Sequence, residues 1–320
     1  MKQGNISKLL PHVGFVLVYI LWGINMASLK IGAREWDPLV FNGLRFLSII
    51  PILWVYTYLY YRSRSLKINI AKKDFWLVCG LGALTAIGME SMLQYALQFS
   101  NTANGAVLGR GFMPIITVII ALMLKQVQFT WRIAVGIPMA FLSVIVIVSG
   151  GVEGFHLGAD SLRGDVLLLL RSFMGALYLI GMNRLVLKYP LPLLISLEMT
   201  AGALSLLPFV IWKADVAYLA AISQMGWLTL AYTAIFATAI GFAVHNWSLA
   251  RLGPFKSSTY GYLLPVTAAI AGIILLQESI SVYQCLGGVG VLAAMYLVQR
   301  DRMQTMKGIV QSNSAKTTPK

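Results

Sequence analysis

The sequence predicts an all-α integral membrane protein with ten transmembrane helices, arranged as a 5+5 inverted-topology repeat with both termini in the cytoplasm. Three observations predict this fold class. Hydrophobic residues make up 58% of the 320 residues and charged residues only 11%, less than half of the roughly 25% found in soluble domains. The apolar residues fall into runs of nearly membrane-spanning length, and one proline-containing stretch occurs twice.

The duplicated stretch lies at residues 105–136 and again at residues 256–287, with Pro114 aligned to Pro265. In lipid, the backbone groups that a proline leaves unpaired must be satisfied by neighbouring helices or by a water-filled cavity. Proline-interrupted segments at corresponding places in two halves are typical of the central site of secondary transporters. We therefore predict that Pro114 and Pro265 are hinges in broken or bent helices, with simple helix packing as the alternative.

The predicted spans follow one another with short connections that leave no room for a soluble domain. Each is close to the roughly 20 apolar residues that a crossing helix needs. In order they are His12–Lys30, Leu39–Tyr60, Phe75–Phe99, Ala103–Leu124, Trp131–Gly150, Gly164–Leu187, Leu191–Trp212, Met225–Ala250, Ser257–Leu276 and Val282–Gln299. No small-residue cleavage site follows the first run, which predicts a retained span and not a signal peptide.

The spans divide into two repeats of five helices. Residues 12–150 form the first predicted repeat and residues 164–299 the second. The external connecting loop between them, residues 151–163, is rich in glycine and charge. Residues 1–11 are the predicted cytoplasmic N-terminus, and residues 300–320 are a predicted disordered basic tail.

The loop charges predict the orientation, because Lys and Arg favour the cytoplasmic side. Alternate loops hold only Arg34, Arg163 and Lys213 as basic residues, whereas the other loops and both termini are rich in Lys and Arg. Both termini are therefore predicted to be cytoplasmic, and five spans per half make the second repeat enter from the opposite side. The net charge of +14 is then a topology signal, and no nucleic-acid partner is predicted.

Five motifs stand out along the chain, three in the first half and two in the second. They are LWG at Leu21–Gly23, PLVFNGLRF at Pro38–Phe46, YALQFSNTANGAVL at Tyr95–Leu108, NWSLARLGPFKSS at Asn246–Ser258 and LLPVTAAIAGIILLQE at Leu263–Glu278. Together they resemble the EamA-type members of the drug/metabolite transporter (DMT) superfamily, over roughly Val13 to Val298. The first half departs from the pattern at Val127, which aligns with Glu278. The resemblance implies an inner-membrane (cytoplasmic-membrane) carrier that exports small metabolites, amino acids or drugs.

Ionisable side chains inside the spans predict the site, because each costs several kcal/mol to place in lipid. The substrate-binding candidates are Glu90, Arg110, Arg171 and Arg45, and the candidates for coupling are Glu198 and His245, which lie nearer the cytoplasm. At about 1.5 Å per residue, the first four lie at one depth, roughly 9–14 Å below the outer boundary. We expect one arginine to hold helices together and at least one to face substrate. The resemblance implies that Arg45 is the structural one.

Uncharged side chains in the spans give weaker candidates. Trp22, Asn25, Tyr178 and Tyr260 are candidates for lining a pocket, with ordinary packing as the alternative. No GxxxxGK[ST] motif is present, so direct ATP use is not predicted. The dispersed histidines show no ligand spacing, and no metal or cofactor is predicted.

These patterns predict a secondary transporter that works by alternating access around a central cavity. Three arginines against Glu90 leave two excess positive charges at one depth, which predicts a small-molecule substrate with an anionic group. A membrane-embedded enzyme or scaffold is one alternative, disfavoured because Glu90 and Glu198 lie in opposite halves. A channel is another, disfavoured by the lack of a repeated filter motif. The sequence leaves substrate identity, direction, proton coupling and oligomeric state open.

Overall fold

The computed structural model describes residues 3–125, 127–149 and 160–298, and these residues form helices and no strands. The long helices are α1 (Gln3–Gly32), α2 (Pro38–Ser63), α3 (Lys72–Ala96), α4 (Thr102–Met123), α5 (Trp131–Ser149), α6 (Asp160–Val186), α7 (Leu191–Lys213), α8 (Gln224–Leu252, continuing to Tyr260), α9 (Leu263–Leu276) and α10 (Val282–Val298). A short helix, Val216–Ala221, lies between α7 and α8. The predicted tail, residues 300–320, and most of the predicted connecting loop, residues 151–163, lie outside the described residues.

The helices have the length and surface of membrane spans. In the described part of the chain, α1 to α8 are long and apolar enough to cross a membrane, while α9 and α10 are shorter apolar helices. Large apolar side chains such as Ile211 (75% exposed) and Leu142 (63% exposed) point away from the protein. Such surfaces suit lipid, in which apolar side chains need no protein cover.

The ninth span differs from the prediction. The residues up to Tyr260 continue α8, a turn covers Gly261 and Tyr262, and α9 begins only at Leu263. The predicted span from Ser257 is therefore wrong at its start. The prediction ended the eighth span at the basic segment that contains Arg251 and Lys256, whereas the helix continues through this segment.

Each duplicated proline lies just after a break in the helical backbone, at the start of a helix, which fits the broken form of the predicted hinges. The role of the two prolines as hinges stays a prediction. Pro114 is the second residue of the helical segment Met113–Met123, directly after a bend at Phe112. Pro265 is the third residue of α9. Proline is tolerated in a first turn because the N–H that it lacks has no intrahelical partner there. The backbone therefore breaks just before each proline.

Helices of the first half pack on helices of the second half. Helix α2 lies along α7, and α1 lies along α8 and α9. Close approach of α1 and α9 depends on Gly23, where a Cβ would lie 2.3 Å from Thr267 Oγ1. Thr267 Oγ1 donates a hydrogen bond to Tyr19 O across this contact (2.8 Å).

Loops that are separated in sequence meet at the two ends of the bundle. At one end, here called the predicted outer end, the contacts are Lys30 Nζ to Glu278 Oε1 (2.7 Å), Ser223 Oγ to Glu35 Oε1 (2.7 Å) and Lys213 Nζ to Asp37 Oδ2 (2.5 Å). At the opposite end, Asp74 Oδ2 accepts hydrogen bonds from Lys188 Nζ (3.1 Å) and Tyr189 OH (2.8 Å). Successive connections thus alternate between the ends, as they do in helices that cross back and forth.

Candidate functional site

A cavity of about 580 Å³ lies in the middle of the bundle. Helices α1 to α4 and α6 to α10 all contribute side chains to its wall. Its volume falls within the roughly 300–1,000 Å³ of sites that take small molecules. The cavity contains a charged cluster, a second carboxyl group and an apolar wall, which are described in turn.

The Glu90 cluster consists of Glu90 and the three arginines predicted to lie at its depth. Glu90 Oε2 pairs with Arg45 Nη1 (3.1 Å), and Glu90 Oε1 pairs with Arg110 Nη2 (3.2 Å) and Arg171 Nη2 (3.4 Å). The structure thus brings together four charged residues that come from four helices. One carboxylate among three guanidinium groups leaves a formal excess of two positive charges.

The three arginines differ in their exposure and in their hydrogen bonds to other parts of the protein. Arg45 also donates hydrogen bonds from Nε to Thr238 Oγ1 (3.0 Å) and from Nη1 to Asn42 Oδ1 (3.1 Å), and its side chain is 5% exposed. Arg171 donates to the backbone oxygen of Gly109 and is 2% exposed. Both of these side chains tie helices together.

Arg110 is the most accessible arginine of the cluster. Its side chain is 27% exposed and lines the cavity. Nη2 donates to Glu90. Nε is buried and has no partner among the described residues, as is also the case for Arg171 Nε, so the exposed part of Arg110 is the end of its guanidinium group. A guanidinium group has five N–H donors arranged as a planar fork. Arg110 therefore retains donors for a planar anionic group that enters the cavity.

Three π-helical segments shape the site. They are Leu84–Ser91, which carries Glu90, Val107–Gly111, which carries Arg110, and Thr233–Ile240, which carries Thr238. Within two of them a hydroxyl group bonds the carbonyl five residues earlier: Ser91 to Ala86 (2.7 Å) and Thr238 to Thr233 (2.7 Å). A π-turn widens the helix and rotates the side chains that follow, and such turns are frequent at functional sites. The sequence does not predict these segments, because small residues around Glu90 and Arg110 are also compatible with regular α-helix.

Glu198 on α7 is the second carboxyl group in the cavity wall. It is 3% exposed, and it accepts hydrogen bonds from Thr85 Oγ1 (2.9 Å) and Tyr178 OH (3.0 Å). Close packing of α3 and α7 holds it there, because a Cβ at Gly82 would lie 2.3 Å from the backbone oxygen of Glu198. Tyr178, predicted as a lining residue, thus reaches the wall bonded to Glu198. Thr85 was not singled out from the sequence.

The remaining aromatic and amide candidates separate into two groups. Trp22 and Asn25 line the cavity, where Trp22 Nε1 donates to Ala237 O (2.8 Å) and Asn25 Oδ1 has no partner in the described part of the chain. His245 also lines it, with its ring 5.2 Å from the Trp22 ring. Tyr260 is not part of the wall. Its hydroxyl shares a hydrogen bond with His12 Nδ1 (2.5 Å), because α8 continues to this point.

The EamA-like transporter family model matches residues 10–149 and again residues 162–300. The chain belongs to the EamA-like transporter family. It is 25% identical over 299 residues to an uncharacterized transporter from Archaeoglobus fulgidus, covering 92% of this chain and 98% of the relative. It is 25% identical over 289 residues to a probable amino-acid metabolite efflux pump from Salmonella typhimurium, covering 88% and 92%. A crystal structure of a protein with 15% identity matches with a TM-score of 0.59, covering 93% of this chain and 99% of that one, which shows the fold alone.

Membership of the EamA-like family confirms the resemblance predicted from the sequence. It makes the chain a multi-pass membrane protein and a transporter of small molecules rather than an enzyme. In this EamA-like transporter the cavity is the candidate substrate site, since it lies between the two stretches that the family model matches.

Much of the wall of this EamA-like cavity is apolar and deformable. Its methionines are Met89, Met113, Met182, Met199 and Met295. Phe46 and Phe242 also line it, as do Pro114 and Pro265. Methionine adapts its shape to irregular apolar partners. The sequence analysis did not single these residues out, because a methionine in an apolar run is indistinguishable from ordinary core.

Proposed function

We propose that this protein is a secondary transporter that moves a small molecule with an anionic group across the cytoplasmic membrane, by alternating access around the cavity. The observation that carries the proposal is Arg110, whose guanidinium group is 27% exposed at the cavity wall in a cluster with two excess positive charges. A carboxylate or phosphate group accepts a bidentate bond from such a fork.

The apolar wall supports a substrate with an apolar body beside its charge. An amino acid or a metabolite acid with a hydrocarbon side chain meets both requirements, and the Salmonella relative is named a probable amino-acid metabolite efflux pump. Export is the direction that we propose. A permanently cationic drug fits less well, because the cluster would repel it.

Two observations support alternating access between two repeats, which we propose to be inverted, with both termini in the cytoplasm. The family model matches the chain twice, once in each half. In addition, the predicted outer end is closed by a group of contacts between the halves, here called the outer latch, formed by Lys30, Ser100, Thr102 and Glu278. Lys30 Nζ donates to Ser100 O (2.7 Å) as well as to Glu278, and Thr102 Oγ1 donates to Glu278 Oε2 (2.6 Å).

Counterflow in vesicles tests the proposal. Liposomes that contain the purified protein are loaded with an unlabelled compound, and the same compound in labelled form is added outside. The compounds tested are L-leucine, L-glutamate, 4-methyl-2-oxopentanoate and the permanent cation tetraphenylphosphonium. We expect transient accumulation of at least one carboxylate and none of the cation. Counterflow of the cation alone would contradict the anionic substrate, and the absence of counterflow for every compound would contradict the carrier. Empty liposomes correct for passive entry of each compound.

A further inference from the structure

Glu198 differs from Glu90 in the charge of its partners. Glu90 pairs with three guanidinium groups, whereas Glu198 accepts hydrogen bonds from two neutral hydroxyl groups, those of Thr85 and Tyr178. In the described residues no cation contacts Glu198. An ionised Glu198 therefore holds an uncompensated charge in a membrane protein interior, which is costly.

The helices packed against Glu198 present few other charges to it. On α3, Glu90 lies one to two turns beyond Thr85 and is held by its arginines. On α2, Trp54 and Thr57 bond the neutral side chains of Thr200 and Ser196, and Arg45 is bonded to Glu90. On α6, Tyr178 is the partner already named, and Arg171 belongs to the Glu90 cluster. The remaining titratable groups in the cavity wall are Tyr19 and His245, together with Arg110.

The hydroxyl partners satisfy Glu198 in both protonation states. The carboxylate accepts from both hydroxyl groups. The protonated acid donates its own O–H, and a hydroxyl group can turn to accept it because each hydroxyl both donates and accepts. Glu198 can therefore bind or release a proton without leaving a buried polar atom unpaired. The Glu90 carboxylate differs, because the three arginines of the cluster stabilise its ionised form.

We infer that Glu198 is the proton-binding group of the transport cycle, and that a proton on Glu198 and an anionic substrate at Arg110 bind together. The inference rests on the proposed function. An anion in the cavity and an ionised Glu198 repel each other, so protonation of Glu198 strengthens binding of the anion. By reciprocity, a bound anion strengthens binding of the proton to Glu198. One O–H bond forms at the Glu198 carboxylate on one side of the membrane and breaks on the other. A monoanion and its proton then cross together without net charge, so net export runs down an outward substrate gradient that exceeds the inward proton gradient.

Transport driven by a pH gradient tests this inference. Proteoliposomes at internal pH 7.5 are diluted into buffer at pH 6.0 with labelled 4-methyl-2-oxopentanoate, and both uptake and internal acidification are recorded against empty liposomes. We expect the unmodified protein to accumulate the compound and to acidify the interior. Glu198→Gln, which cannot release a proton, is expected to lose gradient-driven accumulation by about tenfold or more, and the counterflow that remains should be independent of pH.

Tyr178→Phe provides a second variant that keeps the carboxyl group. Removing one hydroxyl donor weakens the ionised form of Glu198, so the pH of half-maximal driven uptake should move upward. A purely structural role for Tyr178 would lower the rate at every pH without moving this profile.

The outcomes separate the two proposals. Counterflow without any response of the unmodified protein to the gradient overturns the role of Glu198 and leaves the carrier intact. Accumulation by Glu198→Gln at the unmodified level, or an unmoved pH profile in Tyr178→Phe, also overturns it. Absence of counterflow by the unmodified protein for every carboxylate overturns both proposals.

Discussion

At the scale of single residues, two arginines of the Glu90 cluster are buried, and the third reaches the surface of the cavity. Arg45 and Arg171 are almost completely buried and bonded to the backbone or side chains of other helices, whereas Arg110 is 27% exposed. Removing Arg45 or Arg171 therefore breaks contacts between helices. Removing Arg110 leaves Glu90 with two cations and takes away the donors that face the cavity.

We predict that Arg110→Gln lowers counterflow of the carboxylates by about tenfold or more, the loss of one charge-assisted contact of about 1.5–3 kcal/mol. Arg110→Lys should restore it only in part, because an ammonium group cannot form the planar fork. Arg251→Gln, an exposed arginine that stacks on Trp247, is the matched control and should transport normally. Normal transport by Arg110→Gln at equal expression would remove Arg110 from the substrate site.

The sequence predicted the cluster because depth along a helix follows from counting residues. The rise of about 1.5 Å per residue placed Glu90 and the three arginines at one level. Counting does not give rotation about the helix axis, and a helix that is apolar all round shows no face. For that reason the partners of Glu198, namely Thr85 and Tyr178, and the position of Tyr260 outside the cavity wall emerged only from the folded structure.

At the scale of helices, the site is built where regular α-helix stops. Glu90, Arg110 and Thr238 all lie in π-helical segments, and the backbone breaks at Phe112 and at the turn after Tyr260, directly before Pro114 and Pro265. Both prolines line the cavity. The duplicated sequence marked these places, where the prolines follow breaks and start helices, and the role of the prolines as hinges stays a prediction.

We predict that Pro114→Ala combined with Pro265→Ala slows counterflow by about tenfold while expression changes little. Alanine has the highest helix propensity and restores the missing N–H, so helix can extend across each break and stiffen it. Pro51→Ala, inside α2 and exposed, is the matched control. Unchanged counterflow in the double variant would return both prolines to a packing role.

At the scale of the whole molecule, composition and loop charge predicted a helical membrane protein. The helix boundaries lie within a few residues of the prediction except at the start of α1, the end of α8 and the start of α9. The sequence did not predict how the halves interleave, with α2 along α7 and α1 along α8 and α9. Such pairings depend on close contacts, for example at Gly23, and a glycine in an apolar span does not reveal its neighbour.

The outer latch joins the two halves at the predicted outer end. It links the end of α1 and the start of α4 with the connection between α9 and α10, through Lys30, Thr102 and Glu278. The cavity lies nearer the middle of the bundle, so a substrate can leave toward this end only after the latch opens. An alternating-access carrier must therefore open and close the latch once in each transport cycle.

Reversible cross-linking of the latch tests alternating access most directly. The two native cysteines are first removed as Cys79→Ala and Cys285→Ala, and Lys30→Cys and Glu278→Cys are then introduced. The two new thiols are joined in proteoliposomes with a short, reducible bifunctional reagent. We predict that counterflow stops on cross-linking and returns on reduction, whereas Lys30→Cys alone, treated identically, continues to transport. Counterflow that continues at the same rate through fully cross-linked protein would contradict alternating access.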